Sequence, residues 1–293
     1  MIAHLRAHHG PVSLALVPLL VAVLVAVAVA VLVAVLIPPS PALADATAVE
    51  RAPAVRADLD ARGVLAVDEA GRPKATRLDL EMKYVKGGGR GGANIYHVTG
   101  DVAIAHPPGQ VIAVAADLET YDGWAIAGLN DRAIHPRGER WETDILSMTR
   151  DRRGDLAIRA RVLRFAEGTV NMRETERQEG AEGGGVFVLR YELRAANVLV
   201  SQFDYTFYVF PVADGRACAI RFEAHCGLTR PLDWWYRQKD ENPVTLLKPR
   251  VRRYLENLLG EVARRYPAGA PAPEAKPAPP AQPREPAPTP EPY

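Results

Sequence analysis

An α+β fold, with an antiparallel β-sheet packed against one long C-terminal α-helix, follows from three features of this 293-residue chain. First, six segments between Arg140 and Cys226 read as strands separated by Gly, Asp and Arg turns, and three of them clearly alternate apolar and polar residues, as half-buried strands do. Second, Pro243 to Tyr266 carries an apolar stripe, Val244, Leu247, Val251, Leu255, Leu258 and Val262, at the spacing of an amphipathic helix. Third, both ends differ in composition from the middle, which confines the folded part to one continuous stretch.

The N-terminal end is apolar. Met1 to Gly10 holds Arg6 and three His, an uncharged run follows from Val12 to Ile37, and Ala42-Leu43-Ala44 precedes Asp45. These are the parts of a secretory signal peptide, but the run exceeds the usual 7 to 15 or so apolar residues and reaches the roughly 20 that a spanning helix needs. Residues 1–44 are therefore expected to be either a signal peptide cleaved after Ala44 or an N-terminal membrane anchor. Either form exports the rest, to the periplasm or cell envelope. At the other end, residues 267–293 hold eleven Pro among Ala, Glu and Gln. Such a segment buries too little apolar surface to offset its ordering entropy, so a disordered Pro-rich tail is expected.

Charge excludes one class of function. The chain has 36 Lys and Arg against 35 Asp and Glu, a formal net charge of +1, without the basic surplus of a nucleic-acid binder. The two cysteines fall eight residues apart in one predicted strand, roughly 26 Å at about 3.3 Å per residue, too far to be bridged.

Residues 45–92 read as an N-terminal extension with one strand, in which Leu78, Leu80, Met82 and Tyr84 face one way, and a Gly-rich loop. That loop, Gly87 to Gly92, formally contains G-x-G-x-x-G, but Ile95 to Ile104 after it alternates like a strand rather than opening a helix, so a dinucleotide site is rejected. Pro107-Pro108 opens a helix over Gln110 to Leu118, and a second short helix is expected over Trp124 to Leu129. The strands then run Arg140 to Thr149, Leu156 to Phe165, Thr169 to Gln178, Val186 to Arg194, Leu199 to Pro211 and Arg216 to Cys226. Short turns between them imply an antiparallel sheet with one wet face.

No catalytic or cofactor motif stands out. The seven His have no metal-ligand spacing, no Gly-x-Ser-x-Gly elbow exists, and Cys218 and Cys226 lie among apolar neighbours. No metal or other cofactor is expected.

The order strand, two short helices ending near Trp124, antiparallel strands and a long closing helix resembles the START-like (SRPBCC) helix-grip superfamily. The residues that carry the resemblance are Ile104 to Val111 leading to Asp117-Leu118-Glu119-Thr120-Tyr121-Asp122-Gly123-Trp124, with Pro243 to Tyr266 as the closing helix; it covers about residues 93–266. It implies a helix-grip fold, a curved antiparallel β-sheet wrapped on the long C-terminal α-helix, with an elongated apolar cavity between sheet and helix, and a hydrophobic small molecule or lipid as partner. Such a cavity would be lined by Trp124, Leu189, Tyr191, Phe203, Tyr205, Phe207, Ile220, Phe222, Val251 and Leu255, with Asn171 and Arg173 as polar contacts. The same apolar alternation also fits a solid core. Three functions remain open: binding or transfer of a lipid, quinone or polyketide-like molecule, aromatase/cyclase-type catalysis in the same cavity, and a non-catalytic envelope interaction module. Trp234, Trp235, Tyr236 and Arg237 combine aromatic rings with a cation, the composition of a membrane contact.

Overall fold

The computed structural model describes residues 46–89, 93–135, 137–138, 143–162, 166–180, 185–197, 199–230, 232–234 and 243–267. The expectations for the leader, for the tail beyond residue 267 and for Trp235, Tyr236 and Arg237 lie outside them. Among the described residues no helix is long and apolar enough to cross a membrane.

Eight strands form one antiparallel sheet: β1 (Asp79–Val85), β2 (Ile95–Ile104), β3 (Thr143–Arg150), β4 (Leu156–Val162), β5 (Ala166–Gln178), β6 (Phe187–Leu193), β7 (Val200–Val212) and β8 (Ala217–Leu228). They lie in the order β1-β2-β8-β7-β6-β5-β4-β3. The sheet curls, and its inner face holds three helices: α2 (Pro108–Ala115), the single turn α3 (Tyr121–Trp124) and the 23-residue α4 (Pro243–Arg265). This is a helix-grip arrangement. Only the second short helix departs from expectation there, ending at Trp124 where it was expected to begin.

Alternation decides which residues meet α4. The ladder aligns Phe203, Tyr205, Phe207 and Val209 of β7 with Cys226, Ala224, Phe222 and Ile220 of β8, and those with Tyr96, Val98, Gly100 and Val102 of β2. Gly100 sets how closely the helix approaches. A Cβ at this position would stand 3.0 Å from Leu255 Cδ1 and 3.2 Å from Leu80 Cδ1, so the missing side chain is the seat of Leu255. Polar tethers fix α4 along its length. Buried Arg250 donates to the Leu129 carbonyl at 3.1 Å, Asn257 to the Ala127 carbonyl at 2.7 Å, and Arg265 to Asp117 at 2.6 Å.

The outer face is wet only in part, over β1, β4 and β5. A helix that alternation did not reveal, α1 (Ala48–Ala61), covers its middle, burying Ala48, Ala52, Val55 and Leu59 against Ala103, Val188, Tyr208, Phe210 and Ala219. Its N-terminal amides are all satisfied: Thr47 and Glu50 form a capping box, and the Glu176 carboxylate accepts from Ala48 N at 3.1 Å and Val49 N at 3.2 Å. Its far end meets a charged cluster. Asp101, whose side chain is 1% exposed, accepts from Arg221 Nε at 2.7 Å and Nη2 at 2.8 Å and from Arg62, while Arg221 also donates to Asp58 at 2.6 Å. Both cores are built within residues 48–266, so this stretch holds a complete interior of its own.

Candidate functional site

The inner face gathers aromatic side chains from three strands and two helices. Tyr191 of β6 and Tyr205 of β7 pair across the ladder, their rings stacked at 5.1 Å. Tyr205 also lies 5.9 Å from Phe207 and 6.0 Å from Phe222. From the helical side, Trp124 stacks on Tyr254 at 6.0 Å and meets Tyr121 edge-on at 4.7 Å. Of the residues expected to line a cavity, Trp124, Leu189, Tyr191, Tyr205, Phe207, Ile220, Phe222 and Leu255 lie buried in this one cluster, with Phe203 and Val251 packed at its margin.

Four tyrosyl hydroxyls share this apolar space. Tyr121 Oη donates to the Ala115 carbonyl at 2.5 Å and lies 3.4 Å from Tyr254 Oη. Burial raises the ionisation of all four: Tyr254 is pushed up to about 12, Tyr121 and Tyr205 well above the usual phenol range, and Tyr191 also upward, with Glu174 reinforcing the effect. The Tyr121 hydroxyl opposes the rise at Tyr205 and Tyr254, but burial outweighs it, so the cluster is a set of neutral donors. Tyr205 Oη is buried and, although the Tyr121 hydroxyl is near enough to act on it, makes no hydrogen bond of ordinary geometry. Arg190 Nε, Tyr208 Oη and Arg253 Nε share that condition, but only Tyr205 sits among the other tyrosines. A buried hydroxyl left unpaired costs about 1–3 kcal/mol, so its persistence at an interior position calls for an explanation.

At the margin of the cluster stands an ion pair that alternation hides. In β5, Met172 pairs Leu193, Arg173 pairs Glu192 and Glu174 pairs Tyr191; a bulge then absorbs Thr175, so that Glu176 pairs Arg190 and Arg177 pairs Leu189. The extra residue restarts the phase. Glu174 and Arg177, three apart, therefore share the inner face. They bond bidentately at 2.8 and 2.7 Å, and Tyr191 Oη donates to Glu174 Oε2 at 3.4 Å. No sequence signal distinguishes the bulge. The polar contacts expected from strict alternation, Asn171 and Arg173, lie instead on the outer face, Arg173 exposed beside Glu192. They do not join Tyr191 and Tyr205.

Cys218 and Cys226 also line the inner face, both free, and burial holds their thiols far above the usual range, Cys226 at about 12. They are packing residues rather than nucleophiles. Among the described residues no group of three or more His, Cys, Asp or Glu is placed to hold a metal. An open groove of about 530 Å³ lies on the outer side between α1 and the β7–β8 turn, lined by Pro53, Arg56, Leu65, Val67 and Pro211 among others. It contains none of the unpartnered buried groups.

No family model and no curated protein matches the chain. Solved structures do. The Zhui aromatase/cyclase from Streptomyces sp. R1128 is 18% identical with a TM-score of 0.36, over 60% of this chain and 98% of that one. A START superfamily protein from Mycobacterium smegmatis is 14% identical with a TM-score of 0.34, over 58% and 95%. The STAR-related lipid transfer protein from Xanthomonas axonopodis is 16% identical with a TM-score of 0.32, over 62% and 98%. At these identities and TM-scores the resemblance says nothing about chemistry.

Proposed function

We propose that this protein is exported and binds a hydrophobic molecule, of lipid, quinone or polyketide-like character, between the sheet and α4, with a hydrogen-bond acceptor of the guest received by Tyr205. The observation that carries this reading is the unpartnered Tyr205 hydroxyl inside a cluster of three other tyrosines. A guest oxygen there would satisfy the donor without introducing a charge, which the surrounding apolar side chains would oppose. Organic extraction of the purified protein followed by mass spectrometry tests it: a hydrophobic compound recovered from the parent and lost from Tyr205→Phe supports the reading, and an empty parent under all growth conditions overturns it.

A second reading has its own observation. Glu174 lies between Arg177 and the Tyr191 hydroxyl, an arrangement able to hold a proton donor and an acceptor against a bound guest. Aromatase/cyclase-type chemistry in this interior would then depend on Glu174, not on Asn171 and Arg173. Glu174→Gln would leave the extracted compound bound but unprocessed, whereas simple binding predicts the same compound from both proteins.

A further inference from the structure

We propose that the end of the sheet where β1 finishes and Trp234 emerges is a docking surface for an anionic phospholipid bilayer. Among the described residues the exposed large hydrophobic side chains are Val49, Tyr84, Val85 and Trp234, the last 57% exposed. Three of these four belong to one end of the molecule. Tyr84 and Val85 end β1, and the Tyr84 ring lies 5.3 Å from that of Tyr96. Tyr96 Oη donates to Asp233 Oδ1 at 2.8 Å, Asn94 Nδ2 donates to Asp233 Oδ2 at 2.6 Å, and Asp233 is the neighbour of Trp234.

This is a built presentation, not a loose side chain. Asp233 is 3% exposed, and both its carboxylate oxygens are engaged by the beginning of β2. Asn94 Oδ1 accepts in turn from Gly87 N at 3.2 Å, tying down the turn after Val85. With its predecessor fixed inward, Trp234 is held out where water would otherwise disfavour it.

Charge names the occupant. Lys83, Lys86 and Arg230 are exposed around the same end; of the acids there, Glu81 is paired to Lys83 at 3.0 Å and the Asp233 carboxylate is buried. Amphipathic rings interleaved with cations match the headgroup region of an anionic leaflet, whereas the core of a protein interface is depleted of charge. The inference is independent of what occupies the tyrosine cluster.

The chain from Ala46 onward, which contains both cores, is mixed with sedimenting vesicles of phosphatidylcholine alone or with phosphatidylglycerol. Binding is expected only where phosphatidylglycerol is present and should weaken with salt. Trp234→Ser is expected to lower binding about tenfold, with Tyr84→Ser and Lys86→Glu acting in the same direction. Val49→Ser, on α1 over the other side, should leave binding unchanged, and circular dichroism checks that each variant is folded. A parent that ignores phosphatidylglycerol, a Trp234→Ser protein that binds like the parent, or a Val49→Ser protein that loses as much would each overturn the proposal. None of these outcomes touches the extraction result for Tyr205→Phe.

Discussion

At the scale of single residues, two positions have opposite effects on the same interior. Tyr205 carries a donor without a partner, so Tyr205→Phe removes a desolvation penalty as well as an oxygen. The ligand-free protein is expected to gain about 1 kcal/mol, a rise in Tm of about 2–4 °C for a domain of this size, while losing the extractable compound. Scanning calorimetry on delipidated protein checks this, and a lower Tm would mean that the hydroxyl is already satisfied. Gly100 behaves the other way. Gly100→Val places branched carbons where Leu255 Cδ1 and Leu80 Cδ1 already stand, so α4 must lift or its side chains must leave their rotamers, at a cost of about 1–3 kcal/mol. A lowered urea midpoint with an unchanged slope is the expected readout.

At the scale of elements, α4 is held at its C-terminal end by Glu261, which bonds Arg264 at 2.7 Å and Arg265 at 2.7 Å. Hydrogen bonds from Arg264 first, and from Arg265, outweigh burial and bring the carboxyl to about 2. A carboxyl whose folded value lies below its unfolded one stabilises the fold above the unfolded value and loses that contribution as pH falls toward the folded one. Glu261→Gln should therefore lower Tm at pH 7, with the gap to the parent closing between about pH 4.5 and pH 2; melting curves across that range check the sign. The elements themselves were legible to different degrees for physical reasons. Strands β6 to β8 and α4 were readable because one face of each is consistently apolar, and β3 to β5 because turn residues separate them. Helix α1 was not, because its buried positions include two alanines, its sequence contains Pro53, and further alanines among charged residues blur any apolar stripe. The outer face it covers was hidden for the same reason, since Tyr208, Arg221 and Thr206 look solvated in sequence yet are buried. Tyr191 and Tyr205 followed from alternation; Tyr121 and Tyr254, contributed by helices, did not, and neither did Glu174 and Arg177, because one bulged residue inverts the phase and leaves no mark in composition.

At the scale of the whole molecule, the sheet is shared by two cores, one beneath α4 and one beneath α1, and a single buried charge cluster joins the second to the edge of the first. Asp101 lies in β2 and receives Arg221 from β8 and Arg62 from just beyond α1, while Arg62 also reaches Asp79 of β1 at 2.7 Å. Three strands and a helix end thus depend on one carboxylate. Removing its charge leaves Arg221, with a side chain 7% exposed, short of its principal partner, and breaking a buried pair in this way costs about 3–5 kcal/mol. Because β2 and β8 contribute their inner faces to the α4 core and their outer faces to the α1 core, that loss cannot stay local. Asp101→Asn is expected to melt in one transition at lower temperature, with far- and near-ultraviolet circular dichroism changing together. A split transition, in which α1 detaches before the sheet and α4 give way, would show that the outer core is an appendage and not part of the cooperative fold.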